Sequence, residues 1–193
     1  LNNMKFLDWV CLCVLVVALS SCSHHTYVLK TTDYNYKYEA AKQYYAEGNY
    51  NRASLLLQEV VLPLKGSDRG EEALYLLGMS SYEARNYDAA YSYFKKYYES
   101  YPRGVYAEEA RFYSGMSLYN NVPEIKLDQT ATYEAVTEFN SFLEYYPAGR
   151  FAGQAQTLIF ELQDRLVEKE YLSAKLYYDL GSYFGNCSSG GSN

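Results

Sequence analysis

The feature that most constrains the fold is a repeat whose period can be counted along the chain. Small residues at Ala41, Gly78 and Gly115 stand 37 positions apart, and Tyr38, Tyr75 and Phe112 keep that interval. So do Tyr45, Tyr82 and Tyr119. The second half of each unit holds the same register, with Ala53 and Ala90, and Leu57 and Phe94, again 37 apart. The next intervals, Ala90 to Ala135, Phe94 to Phe139 and Pro102 to Pro147, are each 45, so one eight-residue insertion near Asn120-Asn121-Val122-Pro123 accounts for all three. Self-similarity at this period marks stacked supersecondary units, none of which can bury its apolar face without a neighbour.

The middle unit, Glu71 to Pro102, resembles a tetratricopeptide repeat in its 34-residue length and in Leu77-Gly78, Tyr87, Ala90, Phe94 and Pro102. Each of these has a mechanical reason. Gly78 and Ala90 allow two antiparallel helices to approach closely, Phe94 fills the gap to the next unit, and Pro102 ends the second helix because it cannot continue the hydrogen-bond ladder. Ser81 and, in the first unit, Lys37 depart from the pattern. The resemblance implies an all-α superhelix of antiparallel helix pairs, with units at about 34–65, 71–102 and 108–147 and an incomplete one at 151–184.

The start of that last unit is visible in Ser173 to Tyr183, which matches Ala40 to Tyr50 at six of eleven positions. Before it, Phe151, Ala155, Leu158, Ile159, Leu162 and Leu166 at helical spacing predict an additional helix. After it the chain runs into Ser188-Ser189-Gly190-Gly191-Ser192-Asn193, so residues 185–193 read as a flexible tail. An array cut in mid-unit leaves an apolar face uncovered, which leads to the expectation that the natural protein is longer.

The amino-terminal segment reads as an address. Met4 and Lys5 precede an apolar run from Trp9 to Leu19. At about 1.5 Å per helical residue, that run reaches roughly half of the ~30 Å hydrocarbon thickness, so it cannot span a bilayer. It ends in Leu19-Ser20-Ser21-Cys22, which looks like a lipobox, with residues 1–21 as signal peptide and Cys22 as the lipidated residue. Asp8 is a departure, since early signal residues are seldom acidic. Acyl chains contribute about 0.8 kcal/mol per buried CH₂, so a lipid on Cys22 anchors the mature chain to the membrane through the tether at 22–33 without a transmembrane helix. Ser23 after the cysteine, rather than Asp, and the lack of an acidic run in the tether point to the periplasmic face of the outer membrane. The only histidines, His24 and His25, lie on this tether, and two adjacent ligands leave zinc short of its usual four. No metal site and no cofactor beyond the covalent lipid are expected.

Composition narrows the function. The formal net charge is −6, without a long Lys or Arg run, which argues against nucleic acid as a partner. The cysteines at 11, 13, 22 and 187 form neither a disulfide framework nor a zinc spacing. Catalysis by a Ser–His–Asp or Cys–His group needs a histidine in a rigid site, and none lies outside the tether, so an enzyme is not expected. With 25 tyrosines, the chain has the rings and hydroxyls that suit adhesive surfaces.

In tetratricopeptide units the first helices line a concave groove. The positions that face it are Tyr38, Tyr75, Phe112 and Tyr171, and one column further on Tyr45, Tyr82, Tyr119 and Tyr178, with Met79 and Met116 between. This double aromatic ladder suits an extended or hairpin peptide carrying aromatic side chains. The plainer reading is that the rings pack between units, as aromatic stripes at helical spacing most often do. A clamp for a chain-terminal carboxylate is weak here, because Asn35, Lys42, Asn120 and Lys175 are accompanied by Glu72, Glu83 and Glu109.

From Cys22 to about Cys187 the order of elements resembles the BamD family, tetratricopeptide lipoproteins of the outer-membrane β-barrel assembly machinery. The resemblance rests on the lipobox, on Tyr34-Asn35-Tyr36-Lys37-Tyr38-Glu39-Ala40-Ala41, on the unit ends Tyr101-Pro102-Arg103-Gly104 and Tyr145-Tyr146-Pro147, and on Glu170 to Tyr178. It implies a scaffold whose N-terminal units receive the aromatic-ended C-terminal segment of an unfolded outer-membrane protein. Its C-terminal units would dock on a BamA-like barrel protein and on accessory lipoproteins. A different class, the SusD-like glycan-capture lipoproteins, also joins a lipid anchor to tetratricopeptide helices and many aromatics. Those proteins are far longer, with large insertions that form the sugar site.

Overall fold

A computed structural model describes residues 31–189, with side chains through residue 181. The signal segment, Cys22, both histidines and the tether as far as residue 30 lie outside the described residues. Every regular element among the described residues is an α-helix, and within each of two compact units consecutive helices pack against one another as in a tetratricopeptide array. The chain divides into two compact units, one ending at Ala84 and the other beginning at Arg85. The middle sequence repeat is shared between them, its first helix in one unit and its second in the other.

The first unit contains α1 (Tyr34–Ala46), α2 (Tyr50–Val60) and α3 (Asp68–Glu83). Asp33 starts α1, its carboxylate accepting from the backbone N–H groups of Asn35 and Tyr36 at 2.9 and 3.1 Å. The helix stops at Gly48, whose φ of +75° places it in the left-handed region. From there Gly48 N–H reaches the Tyr45 carbonyl and Asn49 N–H the Tyr44 carbonyl, the paired closure of a Schellman turn. One period later, Arg85 holds the same conformation with φ 60°, a position a side chain occupies only with strain. The hairpin of α1 and α2 closes over Tyr38, Ala41, Ala53, Leu56, Leu57 and Val60, all at most 2% exposed. Lys37, the departure noted above, is buried and its ammonium pairs with Glu59 on α2. At the start of α3, Ser67 accepts from Gly70 N–H at 3.2 Å, and Asp68 and Glu71 lie in the first turn, where the helix dipole favours them.

The second unit contains α4 (Tyr87–Ser100), α5 (Ala107–Asn120), α6 (Thr130–Tyr145) and α7 (Ala152–Ser189). Tyr101-Pro102 ends α4 and Tyr146-Pro147 ends α6, as the sequence requires. The core gathers Phe112, Ala135, Phe139, Phe142, Ala155, Leu158, Ile159 and Leu162 from three helices. Gly115, the small residue of the repeat column, lies under the ring of Phe139; a Cβ placed there would fall 2.7 Å from it. Helices α5 and α6 could not close to this distance with any side chain at that position. Phe94 is fully buried with its ring 5.8 Å from that of Tyr113, so it fills the space towards the following repeat.

The insertion is a folded loop organised by one side chain. Gln129, 6% exposed, donates to the carbonyls of Glu124 and Leu127 at 2.9 and 3.1 Å and accepts from the Thr132 hydroxyl at 2.8 Å. Just before α6, Asp128 accepts from Thr130 N–H at 2.8 Å. Its carboxyl is held below the usual range by the Thr130 hydroxyl and that backbone bond. The loop is tied down from α7, where Arg165 donates to the Pro123 carbonyl and Lys169 to the Lys126 carbonyl.

Where the sequence places one helix and then the start of a fourth unit, the structure has the single helix α7, 38 residues long and continuing to Ser189, into the stretch read as a tail. No proline interrupts it, and the Glu168-Lys169-Glu170 junction consists of strong helix formers, so nothing local breaks the ladder.

Candidate functional site

The ten ladder residues fall into three environments. Tyr38, Tyr75, Met79 and Phe112 are buried. Tyr45, Tyr82, Met116 and Tyr119 are half-buried. Tyr171 and Tyr178 stand out from α7 at 64% and 77% exposure. The column nearer each helix start is therefore packed inside the protein in the first three repeats, and the next column keeps its rings partly open.

In the first unit the Tyr38 hydroxyl donates to Glu72 at 2.5 Å, and the second oxygen of that carboxylate takes the Lys42 ammonium at 2.9 Å. Burial, together with the Glu72 charge, pushes the Tyr38 phenol up to about 12. Burial acts to raise the Glu72 carboxyl, but the bonds from Tyr38 and Lys42 outweigh it and hold the group below its ordinary value. Lys42 is correspondingly raised, chiefly by its bond to Glu72. Beside this triad, Arg69 donates to the Asn35 side-chain oxygen at 2.7 Å, and its guanidinium lies 5.7 Å from the centre of the Tyr38 ring. Asn35 and Lys42 are thus engaged by α3. Tyr45 sets its ring edge-on to Tyr50 at 5.5 Å.

In the second unit the same column is occupied by Phe112, which stacks on Phe151 with centroids 4.3 Å apart and planes 7° from parallel. Tyr119, one column on, donates to Glu161 at 2.9 Å, and that bond raises its phenol above the usual value. Together with Asn120, Val122, Glu161 and Arg165 it lines a cavity of about 370 Å³. The Nε of Arg165 is buried there without a hydrogen-bond partner. Elsewhere in the unit Glu138 accepts from the hydroxyls of Tyr98 and Ser114 at 2.8 and 2.7 Å, and burial followed by the Glu138 charge raises the Tyr98 phenol. Arg111 lies between the Tyr98 and Tyr145 rings, 4.1 and 3.9 Å from their centres.

These charged partners escaped the reading of single columns, although a signal for them exists. Tyr38 and Glu72 are 34 residues apart, Asn35 and Arg69 also 34, Tyr98 and Glu138 40, and Tyr119 and Glu161 42. Each pair is separated by about one repeat, so complementary polar residues offset by one period identify the bonds between neighbouring helices.

No described helix is long and apolar enough to cross a membrane, and no described cluster of His, Cys, Asp or Glu could hold a metal ion. Helical hairpins repeated at a tetratricopeptide-like period, with tyrosines left partly open on the first helix of each of three repeats, define a tetratricopeptide-type repeat protein as the class. Residues 31–187 match the YfiO family of outer membrane lipoproteins, and the chain belongs to that family. Two relatives are the outer membrane protein assembly factor BamD of Caulobacter vibrioides, 23% identical over 69% of this chain and 44% of its own length, and the putative outer membrane protein assembly factor BamD of Aquifex aeolicus, 30% identical over 75% and 48%. The chain spans about half the length of these curated relatives.

Proposed function

We propose that this protein is a scaffold lipoprotein of outer-membrane β-barrel protein assembly, held at the periplasmic face of the outer membrane by a lipid on Cys22. Its client is the aromatic-ended C-terminal segment of an unfolded outer-membrane protein. A BamA-like barrel protein and accessory lipoproteins are its standing partners. The observation that carries this reading is the half-open second column of tyrosines, in a chain whose relatives are named as assembly factors. Tyr45 and Tyr82 in the first unit, and Tyr119 beside its cavity in the second, keep aromatic surface available to offset stacking with an incoming ring. Tyr171 and Tyr178 extend the supply on α7. Tyr38, Tyr75 and Phe112 shape the helices beneath and do not themselves meet the client.

The test is titration of a barrel-derived C-terminal peptide into the full chain and into Tyr45→Ala, Tyr82→Ala and Tyr119→Ala, each removing a ring that is already half outside the core. A loss of about tenfold for at least one of the three is expected, the size of a single aromatic contact in a binding interface. Unchanged affinity in all three removes the second column as the site. Binding of an oligosaccharide in place of the peptide favours glycan capture instead.

A further inference from the structure

The cavity beside Tyr119 lies where α7 is still packed into the core of the second unit. Its walls come from three elements: Tyr119 and Asn120 from the end of α5, Val122 from the insertion, and Glu161, Leu162 and Arg165 from α7. Leu162, 2% exposed, belongs to the core as well as to the wall. At about 370 Å³ the space is near the lower end of the roughly 300–1,000 Å³ of small-ligand pockets, so it has room for a short stretch of peptide and not for a helix.

The walls offer two opposite hydrogen-bonding groups. Glu161 and Arg165 stand one turn apart on α7, at the spacing of an ion pair, yet each is bonded elsewhere. Glu161 accepts from the Tyr119 hydroxyl at 2.9 Å with one carboxylate oxygen, which leaves the other to accept again. Arg165 donates from a terminal nitrogen to the Pro123 carbonyl, and that bond seats the guanidinium against the insertion. Its Nε is buried without a hydrogen-bond partner. A buried donor with no acceptor is costly, so a ligand that brings an acceptor to it gains more than an exposed bond would give. Charge selects among acceptors. A carboxylate would meet Glu161 as well as Arg165, and a cation would meet Arg165 as well as Glu161. An uncharged amide offers a carbonyl to the one and an N–H to the other and is opposed by neither. The half-open ring of Tyr119 lines the same space and can stack on an aromatic side chain of the segment so held.

We propose that this cavity is a subsite for a main-chain amide of an extended peptide, its carbonyl accepting from Arg165 Nε and its N–H donating to Glu161, with the adjoining aromatic side chain against Tyr119. This subsite rests on the reading of Tyr119 as a client contact, and it specifies that the contact takes main chain beside a ring and not a terminal carboxylate.

The test is an NMR titration of the full, nitrogen-labelled chain, followed through the arginine Nε–H resonances, with three probes: N-acetyl-phenylalanine N-methylamide, N-acetyl-phenylalanine as its carboxylate, and propionamide. Arg165→Lys, which keeps the charge and loses Nε, assigns the Arg165 resonance. With the phenylalanine amide that resonance is expected to move downfield as the acceptor arrives, and the amide is expected to bind about fivefold more tightly than the carboxylate. Glu161→Gln can still accept from Tyr119 but loses the negative charge and the second acceptor. In it the amide should weaken severalfold and the carboxylate tighten, a reversal of preference that a loss of packing would not produce. Tighter binding of the carboxylate by the unaltered chain overturns the proposal, as does an Arg165 resonance that the amide leaves unmoved. Propionamide binding as tightly as the phenylalanine amide makes a side-chain carboxamide the occupant and overturns it too. Loss of barrel-peptide affinity in Tyr119→Ala with the Arg165 resonance unmoved by any probe overturns the subsite and leaves the client reading intact. A shift and reversal with the amide, while Tyr119→Ala leaves barrel-peptide affinity unchanged, does the opposite.

Discussion

At one position of the repeat the first unit places Tyr38 and the second places Phe112, and around these two residues the units are held together by different chemistry. Tyr38 works through its hydroxyl: it reaches Glu72 on α3, which is also bound by Lys42, so helices one repeat apart are joined by a charged triad. Phe112 has no hydroxyl and works through its faces, stacked on Phe151 and within 6.0 Å of the Phe139 and Phe142 rings. The lesson is that a repeat column prescribes size and direction but leaves open how neighbours are joined. A charge-assisted bond contributes direction as well as energy, whereas a cluster of rings contributes area.

The largest effect should come from breaking the aromatic side. Phe112→Ala removes the ring from the centre of the second unit's core, and a loss of about 3–5 kcal/mol in urea unfolding is expected. An effect below about 1 kcal/mol would mean that Phe151 and Phe142 close the gap and the stack is not what joins these helices.

Next comes the charged side. Tyr38→Phe keeps the ring and deletes the hydroxyl, with an expected loss of about 1.5 kcal/mol, the lower end for bonds to a charged group because Lys42 still satisfies Glu72. The same variant should change the pH profile. The Tyr38 phenol is raised in the folded protein to about 12 from an ordinary value near 10, so its contribution is complete below pH 10 and is lost as pH rises towards 12. In Tyr38→Phe the alkaline decline should be shallower. Glu72 acts in the opposite direction: its lowered carboxyl contributes above the ordinary carboxylate range and loses that contribution as acid protonates it. Circular dichroism melts from pH 3 to 12 read both limbs.

The smallest effect concerns two turns one period apart. Gly48 takes a positive φ freely, whereas Arg85 takes one with a side chain attached. Relief of that strain is partly offset by the greater freedom of glycine in the unfolded chain, so Arg85→Gly should stabilise by about 0.5–1 kcal/mol. Gly48→Arg should cost about 1 kcal/mol, and a loss in both variants would show that the Arg85 side chain contributes more than its backbone strain costs.

Much of the architecture was legible in the chain because it depends on local spacing. The period located the hairpins, Gly115, which shares the small-residue column of the close-approach position Gly78, lies under Phe139, and Pro102 and Pro147 follow the helix ends they were expected to mark. What spacing cannot convey is cover. Tyr38 and Tyr45 are equally aromatic and lie two turns apart on one helix, and only the neighbouring helices decide that one is sealed and the other half open. The insertion was located but not its interior, since Gln129 satisfies carbonyls that no motif links to it. The continuity of α7 was missed for a related reason: a resemblance to an earlier repeat suggested a break, whereas no residue there enforces one.

That continuity has a mechanical consequence. At about 1.5 Å per residue an unbroken helix of 38 residues is a rod of roughly 57 Å. It has no hinge along its length, so its first half, clamped in the core of the second unit, sets the bearing of everything further out. A load applied at its far end is delivered straight to Phe112 and its neighbours, as by a spoke to its hub.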